Sequence, residues 1–318
     1  MLKILLLLGF ISYANSDNPA IKIVENSTGF TVTEGQNKVL FYQRTPKSKE
    51  GEKTRSHYIH PLYGLDGEIL TEDFPEDHLH HRGVFWAWHQ VWIADKRIGD
   101  GWSLDDFSWD VKAVEIVNPD SESSALKILV YWKSPLWSDE QGKQKPFVEE
   151  NSVIRIYRAA KNFRKIDFEI GLLALEEKLT IGGSEDNKGY GGFSARIRMP
   201  QDFQLISKNG AVKPIRYQIT AGPWLDFAAT FKEKAKKSGL AILCHPSLPN
   251  FPQPWIVRQK RSMQNPVWPG REPVPLSTQE QLILRYRMII HRGDANDIDL
   301  DECFKEYAAQ ATFILGEE

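Results

Sequence analysis

The chain is dominated by short runs of β-branched and aromatic residues that often alternate with polar ones, separated by turn clusters such as Asn118–Ser121 and Ser207–Gly210. Alternation with period two puts successive side chains on opposite faces of a strand, and many strands at such spacing are typical of an antiparallel sandwich. We therefore predict an all-β fold, a large antiparallel β-sandwich. The predicted strands are Ile21–Val24, Phe30–Thr33, Val39–Tyr42, Val111–Val117, Leu126–Trp132, Val153–Tyr157, Ile166–Leu173, Phe193–Ile197, Ala241–Leu243 and Leu282–Ile290.

Helical patterns are few. The clearest is Asp301–Ala309, which begins with acidic residues where the helix macrodipole favours negative charge. A second short helix is expected near Phe231–Lys237. Since repeats, low-complexity segments and linkers are absent from the sequence, residues 17–318 should form a single β-sandwich domain with a short C-terminal helix.

The N-terminus has the pattern of a secretory signal peptide. Lys3 is followed by about ten mostly apolar residues, too short a run to span a membrane, with Ala14 and Ser16 as plausible cleavage positions. We expect residues 1–16 to be removed and the mature protein to be periplasmic or secreted, with no membrane association. A buried N-terminal strand or helix is the alternative.

The charge balance argues against a nucleic-acid partner. Lys and Arg total 40 and Asp and Glu total 42, which leaves no basic excess for phosphates. The two cysteines, Cys244 and Cys303, are too few and too far apart for a disulfide scaffold or a zinc knuckle, and whether they pair is left open.

Six of the eight histidines lie between His57 and His89, and three of them, His78, His80 and His81, fall within four residues beside Asp77 and Arg82. Histidine exchanges protons near neutral pH and is also the commonest metal ligand. If the segment from Asp77 is extended, His78, His80, Arg82, Trp86 and Trp88 share one face of a strand.

Three interpretations of this histidine segment remain open. One histidine can act as general acid or base while Arg82 holds a sugar hydroxyl or carboxylate. Alternatively, His78 and His80 bind a divalent metal with a nearby carboxylate. The histidines can also be ordinary surface and core residues. No cofactor is predicted, although a divalent metal remains an alternative.

A second candidate segment is rich in glycine. Five glycines lie between Gly182 and Gly192, which allows sharp turns and a close approach of the backbone to a ligand, although the segment lacks the P-loop pattern. Its polar residues are candidates for a second proton-transfer group or a hydroxyl-binding clamp: Glu185, Asp186, Lys188, Tyr190 and Arg196. A polar hairpin turn is the alternative.

Charged residues also alternate along the predicted strands. Arg285 and Arg287 share one face of the last strand, and Glu149, Glu150, Asp167 and Glu169 lie in earlier strands. A polar groove or a pair of catalytic carboxylates is conceivable, but we expect these residues to form the solvated faces of the sheets.

Several motifs together resemble a bacterial secreted family that carries the label "methane oxygenase PmoA" or is left as a domain of unknown function. They are Asp77–Gly83 followed by Trp86, Gly189–Arg196, Trp224–Asp226, and His245-Pro246 with Asn250, Pro252, Pro254-Trp255 and Arg258. Leu79 and Leu248 replace the Pro and Asn that are usual in that family, and neither change removes a titratable group. The label itself does not fit this chain. The membrane subunit of that name needs apolar helices of about 20 residues, and the sequence after the N-terminal segment has no apolar run of that length.

The resemblance implies a galactose-mutarotase-type supersandwich, a fold of aldose epimerases, polysaccharide lyases and some glycosidases. It favours sugar chemistry without specifying a reaction. We expect a carbohydrate-active enzyme whose partner is a sugar or oligosaccharide, the alternatives being a non-catalytic sugar-binding protein and a metal-dependent enzyme. The expected catalytic residues are His80, His81, Glu185 and Tyr190. The expected substrate-binding residues are His78, Arg82, Trp86, Trp88, Arg196, His245, Trp255 and Arg258.

Overall fold

The structure, a computed structural model, describes residues 20–233, 236–260 and 263–310. The elements of this part, in chain order, are β1 (Ile21–Glu25), β2 (Gly29–Glu34), β3 (Asn37–Gln43), β4 (Lys47–Lys49), β5 (Glu52–Arg55), β6 (Tyr58–Leu62), β7 (Val84–Trp88), β8 (Gln90–Ile93), β9 (Lys96–Gly99), β10 (Ser108–Asp120), β11 (Ser123–Ser138), β12 (Gln144–Tyr157), β13 (Phe163–Ala174), β14 (Leu179–Gly182), β15 (Gly191–Ala195), β16 (Gln204–Ser207), β17 (Gly210–Ala211), β18 (Trp224–Ala229), β19 (Ser238–Cys244), β20 (Trp255–Ile256), β21 (Asn265–Pro266), β22 (Val274–Pro275), β23 (Leu282–Arg292) and α1 (Leu300–Ala308).

Two large antiparallel sheets make up most of the protein. One has six strands in the order β1-β2-β3-β6-β7-β15, and the other has nine in the order β10-β11-β12-β13-β23-β19-β18-β16-β17. A four-stranded sheet, β22-β14-β8-β9, and two small hairpins complete the described part. The predicted all-β sandwich with a short C-terminal helix is therefore confirmed.

The core lies between the facing sides of the two large sheets. Along β11, Leu126, Ile128, Val130 and Trp132 are buried, whereas the residues between them are at least partly exposed. From the other sheet, Trp88 of β7 contacts Trp132 with ring centroids 5.4 Å apart. Period-two patterning thus aligns apolar side chains toward one face and buries them between the sheets.

A carboxylate lies fully buried in this core. The Glu150 side chain on β12 has no exposed surface, and its Oε1 accepts hydrogen bonds from His57 Nε2 (2.7 Å), Trp86 Nε1 (2.7 Å) and Ser152 Oγ (2.6 Å). Its Oε2 accepts one from Trp132 Nε1 at 2.8 Å. Burial alone would raise the pKa of Glu150, but the His57 ring and these donors outweigh burial and lower it.

The Glu150 network connects the two sheets. Since the carboxylate only accepts, His57 Nε2 donates to it, and His57 Nδ1 lies 2.7 Å from the Tyr42 hydroxyl oxygen. Tyr42 and Trp86 belong to the six-stranded sheet, whereas Glu150, Ser152 and Trp132 belong to the nine-stranded sheet. One ionised group therefore joins side chains from both layers of the sandwich.

The expectation that the strand carboxylates form solvated faces was wrong for three of the four. Glu150 lies in the core, and Asp167 and Glu169 are 1% and 5% exposed. Asp167 forms an ion pair with Arg287 Nε at 2.5 Å, on the face of the nine-stranded sheet that points away from the other large sheet. Only Glu149, which faces away from the core beside Glu150, keeps the expected position.

The C-terminal helix explains why the arginine-bearing face of β23 is covered. The guanidinium of Arg287 lies 4.4 Å from the ring centroid of Tyr307 on α1, and Ile289 packs against Leu300 and Cys303 of that helix. The helix begins with Asp299 as N-cap, whose side chain accepts from Glu302 N at 2.8 Å. The solvated outer face predicted for this strand is therefore an interface with α1.

Most other sequence predictions of secondary structure are confirmed. Each predicted strand overlaps an observed one, although β15 ends two residues before the predicted Ile197. The short helix expected near Phe231–Lys237 was wrong as far as the described residues extend, because 231–233 and 236–237 are turn or irregular, and 234–235 lie outside them. The predicted signal peptide, residues 1–16, also lies outside the described residues.

Two further features of the described residues bear on the sequence predictions. Cys244 and Cys303 are both buried and unpaired, which answers the question of a disulfide between them. No helix in the described part has the length and apolar character needed to cross a membrane.

We predict that Glu150→Ala lowers the free energy of unfolding by about 3–5 kcal/mol, because it leaves His57, Trp86 and Trp132 with buried, unpaired N–H groups. Urea denaturation followed by tryptophan fluorescence measures this change. The matched control is Glu149→Ala on the outward face of the same strand, which should change stability by no more than about 0.5 kcal/mol. Equal effects of the two substitutions would contradict the central role assigned to the Glu150 carboxylate.

Candidate functional site

The three clustered histidines lie in a turn segment that leads into β7. Backbone hydrogen bonds from His78 N to Pro75 O (3.1 Å) and from His81 N to His78 O (2.9 Å) close two consecutive turns. The condition that the segment is extended from Asp77 onward is therefore not met, because these turns precede the strand, which starts only at Val84. Tight turns bring the three imidazoles together instead of spacing them along a strand.

Gly83 makes the change from turn to strand possible. Its φ is +55°, and a Cβ at this position would lie only 1.9 Å from the carbonyl oxygen of Ile59 on β6. Glycine alone tolerates both the left-handed backbone and this close approach. The histidine segment is thus anchored against the six-stranded sheet directly at its C-terminal end.

The imidazole rings of the turn segment form one contiguous cluster. His78 and His81 are stacked at 4.6 Å between ring centroids with an interplanar angle of 7°, and the ring of His80 meets that of His81 edge-on at 4.5 Å. His81 is 3% exposed, whereas His78 and His80 are partly exposed. The cluster therefore has one buried member and two that reach the surface.

Arg196, which follows β15, holds this cluster in place. Its Nε bonds Glu72 Oε2 and its Nη2 bonds Asp77 Oδ1, both at 2.7 Å, while Nη1 lies 3.2 Å from His81 Nδ1. Because guanidinium only donates, His81 Nδ1 accepts and the neutral ring carries its proton on Nε2. Burial alone would raise the pKa of Asp77, but the hydrogen bonds from Arg196 and His78, with the charge of Arg196, outweigh burial and lower the pKa to about 2.

Both His80 and His81 are held in the neutral form. Burial, with the neighbouring His78 as the next contribution, lowers the pKa of His80 to about 4. Burial, followed by the nearby His80, His78 and Arg196, lowers the pKa of His81 well below its ordinary value. No described residue forms a hydrogen bond with either ring nitrogen of His80, so this imidazole is the uncommitted base of the cluster.

The hairpin β8–β9 and the turn after it build an adjoining aromatic wall. His89 Nδ1 bonds Asp100 Oδ2 at 2.9 Å, and the His89 ring stacks on Trp102 at 5.4 Å. Trp102 in turn lies 6.1 Å from the ring of His81 and 5.6 Å from the ring of Tyr190. The histidine cluster is therefore continued by a row of aromatic rings.

The glycine-rich segment is folded back so that Tyr190 reaches this wall. Ser184 N bonds Tyr190 O at 2.8 Å, and a Cβ on Gly183 would lie 2.2 Å from the carbonyl oxygen of Gly189. The Tyr190 hydroxyl accepts a hydrogen bond from Arg258 Nη2 at 2.8 Å. Glu185, with a 62% exposed side chain, pairs with Arg97 Nη1 at 3.1 Å at the rim of the same region. The two segments singled out in the sequence are thus neighbours in space.

Three expected substrate-binding residues, Arg82, Trp86 and Trp88, lie in the interior. Arg82 has no exposed side-chain surface, forms an ion pair with Asp73 and donates to the Tyr58 hydroxyl at 2.6 Å. Trp86 and Trp88 face the nine-stranded sheet, whereas Phe85 on the opposite face of β7 packs near Trp102 at 5.4 Å. The side chains of Trp86 and Trp88 therefore support the strand beneath the cluster and do not share a face with His78 and His80, contrary to the prediction.

Two others, His245 and Trp255, lie apart from the cluster. His245 bonds Ser247 Oγ at 2.8 Å and contacts the ring of Tyr307 on α1 at 5.0 Å. Trp255 is fully buried, and its Nε1 donates to Gly222 O at 3.0 Å. Neither side chain meets the histidine cluster, which leaves His78, His80, His81, Glu185, Tyr190, Arg196 and Arg258 as the expected residues that the fold brings to one region.

Four residues of this region were not predicted from the sequence: Glu72, Arg97, Asp100 and Trp102. Their roles depend on contacts across the fold, such as the 124-residue separation between Glu72 and Arg196. One local signal was present: Asp100 and Trp102 alternate with Gly99 and Gly101, and such a turn directly after a strand commonly carries functional side chains.

The alternative of a metal bound by His78 and His80 gains no support from the arrangement of the possible ligands. In residues 20–233, 236–260 and 263–310, no group of three or more His, Cys, Asp or Glu side chains is arranged to hold a metal ion.

The fold and the histidine cluster together define an all-β sandwich protein with a histidine-rich candidate site beside its six-stranded sheet. The model of a family described as "Family of unknown function (DUF6807)" matches residues 30–305, and the chain belongs to this family. The expectation of a domain of unknown function is thereby confirmed, whereas the family's description carries neither the methane-oxygenase label nor a mutarotase name. No curated protein matches the chain.

We predict that His80 titrates with a midpoint near pH 4 instead of the 6.5 of an exposed histidine. Because the unfolded chain then takes up this proton first, the folded state should lose stability as the pH falls from 6.5 to 4. The histidine Cε1–H signals in NMR spectra measure the midpoint, and His80→Gln assigns the resonance. Burial also lowers the pKa of His60 to about 4, so His60→Gln is used to distinguish the His60 signal from that of His80. A His80 midpoint near 6.5 would contradict the assigned environment.

Proposed function

We propose that the protein is a carbohydrate-active enzyme that transfers protons at the histidine cluster. The observation that carries the proposal is the partly exposed His80 imidazole, whose ring nitrogens are free of hydrogen bonds from the described residues. It lies against a neutral His81 fixed by Arg196. An imidazole that is neutral and unbonded at physiological pH has a nitrogen lone pair open to a proton from a bound molecule, and its low pKa favours release of that proton afterwards.

The surroundings of His80 suit a proton-transfer role. His81 is oriented by Arg196, and Arg196 is itself held by Glu72 and Asp77, so the His81 ring against which His80 packs has little freedom to move. Such a supporting shell is what positions a catalytic base accurately. His80 is therefore the proposed base, and Arg196 is a positioning residue rather than a direct substrate ligand.

Tyr190 is the proposed partner on the aromatic wall. Its hydroxyl accepts from Arg258, which leaves the phenolic O–H free to donate toward a ligand. Glu185 lies farther out at the rim, where its pairing with Arg97 favours a role in holding substrate over one in proton transfer. With His80 as the base and Tyr190 as the acid on a different segment, a proton can be removed from one side of a substrate and supplied from another side.

A sugar is the substrate class that these surroundings favour. Tyr190 is partly exposed and offers an aromatic face for the apolar side of a sugar ring, with the buried Trp102 packed behind it, while the histidines and carboxylates can bond hydroxyl groups. The resemblance of the sequence motifs to the galactose-mutarotase-type supersandwich supports the same class, by analogy of fold. Ring-opening epimerisation, β-elimination and glycoside cleavage all fit an acid–base pair of this kind.

The proposed location is periplasmic or extracellular. It is supported by the signal-peptide pattern of residues 1–16, with its single lysine and short apolar run.

We predict that His80→Gln reduces turnover of a responsive glycan by about 10²–10⁴-fold, the usual contribution of a general base. The wild-type protein is incubated in D₂O with a panel of oligosaccharides and polysaccharides, and products are analysed by mass spectrometry and NMR. Deuterium at a sugar carbon indicates epimerisation or elimination, and addition of water indicates hydrolysis.

The control is His60→Gln, the same substitution at a partly exposed histidine on β6 that bonds Thr71. This variant should keep wild-type turnover. Full activity of folded His80→Gln would refute the assignment of the base, and binding of a sugar without any chemical change would identify a non-catalytic binding protein instead.

A further inference from the structure

A groove of about 530 Å³ lies beside the histidine cluster and shares two residues with it. Asp77 and Arg196, which hold His78 and His81, also line this groove. Its volume falls in the range of small-molecule sites. The Asp77–Arg196 pair therefore lies between the histidine cluster and a groove to which no role has yet been assigned.

The groove contains polar groups that are not used by the fold. The side chains of Glu76, Gln259 and Lys260 line it, and each is exposed. Across the described segments, none of the three forms a hydrogen bond or ion pair. They supply a hydrogen-bond acceptor, an amide that both donates and accepts, and a donor. This combination matches hydroxyl groups, which both donate and accept.

The groove also offers an apolar surface. Met199, which packs against the main core, and Pro75 line it together with the polar groups. A sugar ring has an apolar C–H face and a polar edge, so a wall of this mixed character is complementary to it. The two carboxylates, Glu72 and Asp77, are both paired with the single guanidinium of Arg196, which lowers the cost of placing an uncharged ligand next to them.

We propose that the groove binds a second sugar unit, so that the substrate is an oligosaccharide or glycoside that extends from the histidine cluster past the Asp77–Arg196 pair. This inference rests on the proposed function and adds the substrate class: molecules of at least two units bind better than single sugars. Glu76, Gln259 and Lys260 bond the hydroxyls of the second unit, and Met199 contacts its apolar face.

The test compares matched ligands by saturation-transfer NMR and titration. The probes are cellobiose, lactose, maltose and xylobiose, each paired with the methyl glycoside of its non-reducing sugar. The wild-type protein should bind at least one disaccharide about tenfold more tightly than its methyl glycoside. Met199→Trp, which fills the groove, should abolish this preference and leave binding of the methyl glycoside unchanged.

A second variant guards against misfolding of Met199→Trp. Glu76→Gln combined with Lys260→Gln alters only exposed side chains and should also reduce the disaccharide preference, by about threefold or more. Glu280→Gln combined with Lys22→Gln, which changes two exposed side chains that do not line the groove, is the charge-matched control and should behave as wild type.

Three results would overturn the second sugar position: no binding of any of the disaccharides to the wild-type protein, equal affinities for both members of every pair, or an undiminished preference in both groove variants. Failure of the proposed function would show itself differently, as unchanged turnover in His80→Gln or as binding without chemistry. Binding in the groove can persist in either case.

Discussion

The buried carboxylate of Glu150 is the constraint on which the arrangement of the sandwich depends. An ionised group in a protein core must be surrounded by donors, and Glu150 meets this requirement with four, drawn from both large sheets. One of these donors is Trp86 on β7, the strand that begins immediately after Gly83. The hydrogen bond from Trp86 to Glu150 therefore holds β7, the strand that follows the histidine segment, in place. The core and the candidate site thus both depend on the Glu150 carboxylate.

The fold class could be predicted from the sequence because it depends on local patterning. Alternation along segments such as Leu126–Trp132 determines which side chains face the core, and this pattern needs no knowledge of the strand's neighbours. The same alternation misled the interpretation of Glu150 and Arg287, because periodicity shows which residues share a face but not what covers it. One face is covered by the opposing sheet and the other by α1.

The candidate site could be predicted in part, and the limits have a physical reason. His78, His80 and His81 are close in sequence, so their proximity was evident, as was the need of the glycine-rich segment for tight turns. The hub of the site was not evident, because Arg196 meets Glu72 and Asp77 across more than a hundred residues of chain. Trp86 and Trp88 were assigned to the site because strand geometry was extended through a segment that forms turns.

The position of Arg196 between the groove and the histidine cluster has a consequence for how the protein could respond to a ligand. Its guanidinium is the common partner of Glu72, Asp77 and His81, and each of its three nitrogen atoms is engaged. A ligand that draws Asp77 or Glu72 away from Arg196 changes the charge felt by His81 without touching that ring. Occupancy of the groove would then change the proton affinity of the imidazoles on the other side of the arginine, so that a single side chain would couple the proposed second sugar position to the proposed base.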